Sequence, residues 1–201
     1  MSGSVDGASD RAVVLASRNP HKLIEMRRLF EPAGIDVEPL PDEIELPPED
    51  GTTFADNALP KARTAAAATG RPSIADDSGI EAAVLSGAPG VRSARYAGVG
   101  ASDEQNLAKF VDEVPPDSRL RYVCALAYVN PGTDEERVFF GDCRGRMAQE
   151  RAGSNGFGYD PVFVPDATGD SRTMAELTDA EKDAISHRGH AVRALLRWIR
   201  R

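Results

Sequence analysis

Hydrophobic and polar positions repeat along this chain with periods that change from segment to segment, and each change marks an element. Ala12 to Ser17, AVVLAS, is a short apolar run suited to a buried strand. Asn19 then stands as a helix cap with Pro20 at the first helical position, and Leu23, Met26, Leu29 and Phe30 follow at helical spacing. Pro39, Pro41, Pro47 and Pro48 break up the acidic stretch that comes next. From about Phe54 the pattern FADNALPKARTAAAATG reads as a helix closed by Gly70. Pro60 lacks a backbone donor, so the pattern predicts a kink there or a helix beginning only near Ala58.

Ser73–Asp76 and Gly79–Val84 read as two short strands on either side of a polar turn, with a Gly and Pro loop at Gly87–Gly90. A helix is expected over Asp103–Val114, opened by a Ser102 and Gln105 capping box. Arg119–Asn130 alternates apolar and polar residues, Pro131-Gly132 turns the chain, and Val138–Met147 returns as the second arm of a long hairpin. The glycine-rich GSNGFGYDP leads into a strand over Pro161–Val164. Thr178 and Glu181 form another capping box, and Val192, Leu195, Leu196 and Ile199 line one face of a final helix. This order predicts an α/β fold around a mixed, twisted sheet, in one domain over residues 11–201. The small, polar first ten residues read as a disordered leader.

Composition narrows the function classes. The chain has 201 residues, 24 Lys and Arg against 32 Asp and Glu, and a formal charge of −8. Nothing in it approaches the roughly 18 consecutive apolar residues of a membrane helix, and MSGSVDGASD lacks the basic and apolar regions of a secretory signal. These features predict a cytoplasmic protein without membrane partners. Cys124 and Cys143 form no CxxC pair, and His21, His187 and His190 lack the companions of a structural zinc site. An acidic chain is poorly suited to tracking a nucleic-acid backbone. Charge is uneven, however: Asp36–Asp56 holds eight acids and no base, while Ser186–Arg201 holds five arginines and no acid. The two segments are either two solvated faces or the cation-holding and anion-holding edges of one cleft.

Four stretches could carry chemistry. Ser17, Arg18, Asn19, Pro20, His21 and Lys22 lie where a strand hands over to a helix, so free amides and the positive helix end favour an anion, with Lys22 adding a charge. The same stretch also reads as a plain capped helix with a surface lysine. In I-A-D-D-S-G, Ile74–Gly79, an apolar strand runs into two carboxylates, of which one can face a given cleft. The alternative is a simple Asp-Ser-Gly turn. Glu49 could supply a further metal oxygen. G-F-G-Y-D-P, Gly156–Pro161, pairs a purine-stacking ring at Phe157 with a carboxylate acceptor at Asp160, or is a tight turn with two core aromatics. S-H-R, Ser186–Arg188, offers donors to a carbonyl oxygen, with Lys182 one turn upstream.

Taken together and in order, S-R-N-P-H-K, F-A-D-N-A-x-x-K-A, I-A-D-D-S-G-I-E, G-A-P-G-V-R-S-A-R-Y-A-G, G-F-G-Y-D-P-V-F and A-x-L-T-x-x-E-K-x-x-I-S-H-R-G closely resemble the inosine triphosphate pyrophosphatase family, from about Val13 to Leu196. The resemblance implies an elongated two-lobed α/β fold around a long mixed sheet, a homodimer, and Mg²⁺-dependent hydrolysis of dITP, ITP and XTP to the monophosphate and pyrophosphate. It also implies roles. Ser17–Lys22 would hold the triphosphate, Asp77 would be the general base, and Glu49 with Asp77 would hold the metal. Ser78 would touch substrate, Phe157, Gly158, Tyr159 and Asp160 would hold base and sugar, and Lys182, His187 and Arg188 would complete the base pocket. Lys61 would reach phosphate, although Pro60 stands beside it where relatives carry an aliphatic residue. Arg18 is bulky for a phosphate turn in which several relatives carry glycine. Two rivals keep their place: a septum-inhibitor-like pyrophosphatase with another base preference, and a catalytically silent purine-nucleotide sensor.

Overall fold

Val13, Val14 and Leu15 are all buried, so β1 (Ala12–Leu15) is covered on both faces, as a continuous apolar run requires. In the computed structural model, which describes residues 11–200, it lies inside a six-stranded sheet. The leader expected over residues 1–10 lies outside the described residues. β2 (Asp36–Pro39) and β3 (Ser73–Ala82) pair with β1 in parallel, and β4 (Arg119–Asn130), β5 (Glu135–Met147) and β6 (Phe163–Pro165) follow β3 in antiparallel order. The sheet is therefore mixed, in the order β2-β1-β3-β4-β5-β6.

Helices cover it on both faces. α2 (Phe54–Thr69) lays Ala58, Ala62 and Ala65 on Val14, Ala16, Ala75, Ala125 and Ala127, small residues meeting small residues across one face. On the other face α1 (Pro20–Phe30) and α5 (His187–Ile199) bring Met26, Phe30, Val192 and Leu195 against Leu15, Ile74, Cys124 and Leu126. A third apolar cluster gathers at the far end of the long strands, where Ile80, Leu120 and Tyr122 meet Phe163 and, from α3 (Asp103–Glu113), Leu107 and Phe110. The polar run Asp76–Ser78 thus falls between two cores, at the waist of the sheet. α4 (Asp179–Ile185) ends where α5 begins, with Ser186 closing one helix and capping the other.

Several expectations are corrected. The two strands foreseen around Asp76–Gly79 are one: β3 is laddered without a break from Ser73 opposite Val129 to Ala82 opposite Leu120. Gly79 serves close approach rather than a turn, since a Cβ there would meet Gly90 O and Ser93 Oγ, both at 2.4 Å. α2 starts at Phe54, well before Ala58, because a Thr53 and Asp56 capping box holds its first turn although Pro60 removes a later donor. β2 arises within the acidic stretch, β5 begins three residues early at Glu135, and Asp160–Val162 form a 3-10 turn that delays β6 to Phe163. Among the described residues, no helix is long and apolar enough to cross a membrane.

Candidate active site

A cavity of about 340 Å³ opens at the waist, above the ends of β1 and α1 and alongside Asp77. Its wall contains Ser17, Arg18, Asn19, Lys22, Glu49, Lys61, Asp77 and Ser78 toward one end, and Phe157–Asp160, Lys182, His187 and Arg188 toward the other. Residues from four separate sequence motifs therefore share one space. Pro20 and His21 stay outside the wall; His21 instead stacks on Phe157, with ring centroids 5.2 Å apart.

The turn after β1 is built by Asn19, whose side-chain oxygen accepts from His21 N at 2.9 Å and Lys22 N at 3.3 Å. Capping of this kind turns α1's free end toward the cavity. Lys22 Nζ lies 3.3 Å from the Asp76 carbonyl oxygen and 3.2 Å from Asp76 Oδ2. Arg18 reaches from the cavity wall to the acidic loop. Its guanidinium donates to the carbonyls of Leu40, Pro41 and Ile44, each at 2.8 Å, and so straps the acidic loop instead of pointing at a phosphate.

Asp77 faces the cavity from the α2 side of β3. Asn57 Nδ2 donates to its Oδ2 at 2.8 Å and Ser78 N to its Oδ1 at 3.0 Å, which leaves each oxygen a free lone pair. Burial pushes the Asp77 carboxyl above its ordinary range, against the opposing pull of Asn57, Lys61 and Lys22. The Glu49 carboxyl moves the other way: burial raises it, but Lys61, Lys22 and Arg95 together outweigh burial and leave it below its ordinary range. Lys61 Nζ binds both the Glu49 carboxylate and the Asp76 carbonyl, the latter at 3.0 Å, and Arg95 holds the Glu49 carbonyl at 2.7 Å.

The opposite side of β3 carries a buried ionic chain. Asp160 Oδ2 accepts from Lys182 at 2.6 Å, Lys182 donates to Glu25 at 2.6 Å, Glu25 accepts from Arg188, and Arg188 Nη2 donates to Asp76 at 2.8 Å. Glu25, Asp76 and Asp160 balance Lys22, Lys182 and Arg188 in sign, which is what allows five of these charges to sit out of water with Lys22 half-buried at the edge. Burial would raise the Glu25 carboxyl, yet Arg188 and Lys182 hold it down to about 2. Ser78 Oγ is absorbed into this chain, donating to Asp76 and accepting from Arg188. Asp160 is more heavily engaged than an open acceptor would be, since Tyr122 Oη and Phe157 N also donate to it, at 3.1 and 3.0 Å. Tyr159 is a floor residue: its hydroxyl donates to Ser93 O at 2.7 Å.

His187 lies flat on Tyr122, with centroids 4.6 Å apart and planes 9° apart, and burial followed by the Arg188 charge drives its pKa well below the ordinary histidine value. It is therefore neutral and owns a single N–H. Three groups to which the sequence reading gives no role complete the site: Glu25, Tyr122 and Asn57, the last standing within F-A-D-N-A-x-x-K-A. Helical spacing carries a signal for two of them, because Glu25 lies one turn after Lys22 and Asn57 one turn before Lys61.

Comparisons with known proteins show what the chain as a whole is similar to. The sequence model of the Ham1 family matches residues 13–198. The dITP/XTP pyrophosphatase of Cutibacterium acnes is 50% identical over 193 residues, covering 92% of this chain and 94% of that protein. That of Frankia alni is 52% identical over 199 residues, covering 94% and 96%. Among solved structures, a HAM1 protein from Coxiella burnetii superposes with a TM-score of 0.80 at 39% identity, covering 94% of this chain and 98% of the other.

Proposed function

Because the chain belongs to the Ham1 family, we propose that it hydrolyses the noncanonical purine nucleoside triphosphates dITP, ITP and XTP to the monophosphate and pyrophosphate, clearing deaminated purines from the cytoplasmic pool. The observation that carries this reading is the shared cavity, which puts two carboxylates and two lysines at one end and an aromatic ring with fixed donors at the other.

At the phosphate end, Lys22 and Lys61, beside the turn Ser17–Asn19, bind and orient the triphosphate, and their charge opposes the negative charge that develops on the leaving oxygens. Glu49 and Asp77 suit Mg²⁺, which is held by one or two carboxylates together with substrate phosphates rather than by an all-protein cage. Among the described residues no group of three or more His, Cys, Asp and Glu side chains forms such a cage. When bound there, the cation supplies charge neutralisation at the phosphates. Asp77 takes the proton of the attacking water at a carboxylate oxygen that Asn57 and Ser78 leave open.

At the base end, Phe157 stacks the purine. His187 has its one N–H to give, while Arg188 and Lys182 each keep one N–H beyond those taken by Glu25, Asp76, Asp160 and Ser78. These suit the 6-oxo oxygen of hypoxanthine and xanthine. One lone pair of Asp160 Oδ1 remains for a ring N–H. Adenine would set its 6-amino group against donors, a mismatch that such a site rejects by roughly 10⁴-fold.

The second copy of a homodimer would seat on β5. Glu136, Val138, Phe140, Asp142 and Arg144 share the α2-side face beyond that helix, and Phe140 is 62% exposed. A two-fold axis at Phe140 brings Glu136, which Arg63 of α2 already holds through both oxygens, toward the partner's Arg144, four residues out on each side, so the strip complements itself in sign.

The test is pyrophosphate release from ITP, XTP, dITP, ATP and GTP, with Mg²⁺ and with EDTA. Metal-dependent release from the first three alone is expected. Binding of ITP without release from any nucleotide overturns the catalytic reading in favour of a sensor.

A further inference from the structure

Asn57 is buried in the first turns of α2 and stays outside the cavity wall, yet it touches both carriers of the proposed metal carboxylates. Its Oδ1 accepts from Gly51 N at 2.8 Å, two residues beyond Glu49, and its Nδ2 donates to Asp77 Oδ2 at 2.8 Å. The amide has one orientation that satisfies both: Gly51 offers a donor and Asp77 an acceptor, so a flipped side chain would lose both bonds. A separate observation marks the same contact. A Cβ on Gly51 would lie 2.6 Å from Asp56 Cβ and 2.7 Å from Asn57 Oδ1, so the loop comes as close to α2 as a residue without a side chain permits. Lys61, one turn further along, also spans loop and strand, but it lines the cavity and belongs to the phosphate end.

We infer that Asn57 is a positioning residue that sets the spacing of Glu49 and Asp77 before any cation arrives, acting through Gly51 on one side and directly on Asp77 on the other. The inference rests on the functional reading above. Without Asn57 the Glu49 loop loses its Gly51 tie to α2 and keeps Lys61, Asp77 loses one of its two donors and keeps Ser78 N, and the cation must complete the ordering of both carboxylates as it binds. Its affinity then falls, while the base pocket at the far end of the cavity is untouched.

Asn57→Ser and Gly51→Ala break the contact from opposite sides in the full chain. Mn²⁺ binding to the nucleotide-free protein, followed by electron paramagnetic resonance, is expected to weaken roughly 10- to 100-fold in both, as removal of a group that orients metal ligands commonly does. The Mg²⁺ concentration for half-maximal turnover should rise in step, with KM for ITP at saturating Mg²⁺ nearly unchanged. If folded Asn57→Ser binds Mn²⁺ as the parent does, the positioning role is overturned and Asn57 is a packing residue. Should Asn57→Ser not fold, Gly51→Ala decides between the same two outcomes alone, because it keeps the amide and displaces only the loop. Parent protein that neither binds Mn²⁺ nor releases pyrophosphate would instead sink the functional reading.

Discussion

Asp76 and Asp77 are neighbours on β3 and face opposite sides of the sheet: Asp76 is sealed against Arg188 and Lys22, while Asp77 looks into the cavity beneath Asn57. Pleating alone separates a structural carboxylate from a chemical one. Asp77→Asn should lower turnover by roughly 10²- to 10⁴-fold, the usual worth of a positioned base. Its unfolding free energy in urea should change little, since relief of a charge that burial disfavours offsets the one acceptor lost to Asn57 or Ser78. Asp76→Asn should instead destabilise by about 3–5 kcal/mol, because it strands Arg188 in the interior. Undiminished pyrophosphate release by Asp77→Asn removes Asp77 from the base role.

Glu25 ties acid stability to the ionic chain. Its carboxyl is held down to about 2 in the folded protein, below the ordinary 4.5. The resulting stability is fully present above the ordinary value and is lost as pH falls through the folded one. Glu25→Gln should therefore be less stable at neutral pH. Between about pH 4 and pH 3, its stability should decline less steeply, by up to about 1.4 kcal/mol per pH unit for the one missing proton. Denaturant titrations over pH 3–7 measure this, and parallel curves for the two proteins contradict the chain.

If Phe157 stacks the purine as proposed, Phe157→Ala should raise KM for ITP roughly 10- to 100-fold, in line with about 1–3 kcal/mol for stacking. The kcat at saturation should move far less, because the phosphate end keeps every group. Steady-state kinetics separate the two constants, and a fall confined to kcat would place the ring elsewhere in the reaction.

In the proposed homodimer Phe140 sits at the two-fold axis, where a carboxylate would meet its own copy. Phe140→Asp should sediment as a single chain at a concentration where the parent sediments as two. An unchanged mass moves the dimer surface off β5.

What the sequence revealed tracks how local each cause is. The caps at Asn19, Ser102 and Thr178 and the β4–β5 hairpin depend on residues within a few positions; the caps stand as expected, and so does the hairpin apart from the earlier start of β5 at Glu135. D-D-S-G resembles a turn because its partners are remote: β4 supplies the ladder from some 50 residues on, and Arg188 pairs with Asp76 from 112 away. Glu25 is hidden for the same reason, as a charge among Leu23, Met26 and Leu29 resembles a surface position until Lys182 and Arg188 arrive from the C-terminal helices. The motifs indicate which residues gather at the cavity, but not their direction. Arg18 turns to the loop and Ser78 turns inward to the chain of charges.

The acidic loop between β2 and α2 is held mainly by side chains reaching out to it. Arg18 grips Leu40, Pro41 and Ile44, Arg95 and Lys61 grip Glu49, and Asn57 grips Gly51. No rung of the sheet's ladder runs through residues 41–51. This loop can peel away while the sheet remains intact, so it is the part of the site where proteases and hydrogen exchange should first find a way in. Salt should widen that opening by screening its charged ties, and a bound nucleotide with its cation should close it.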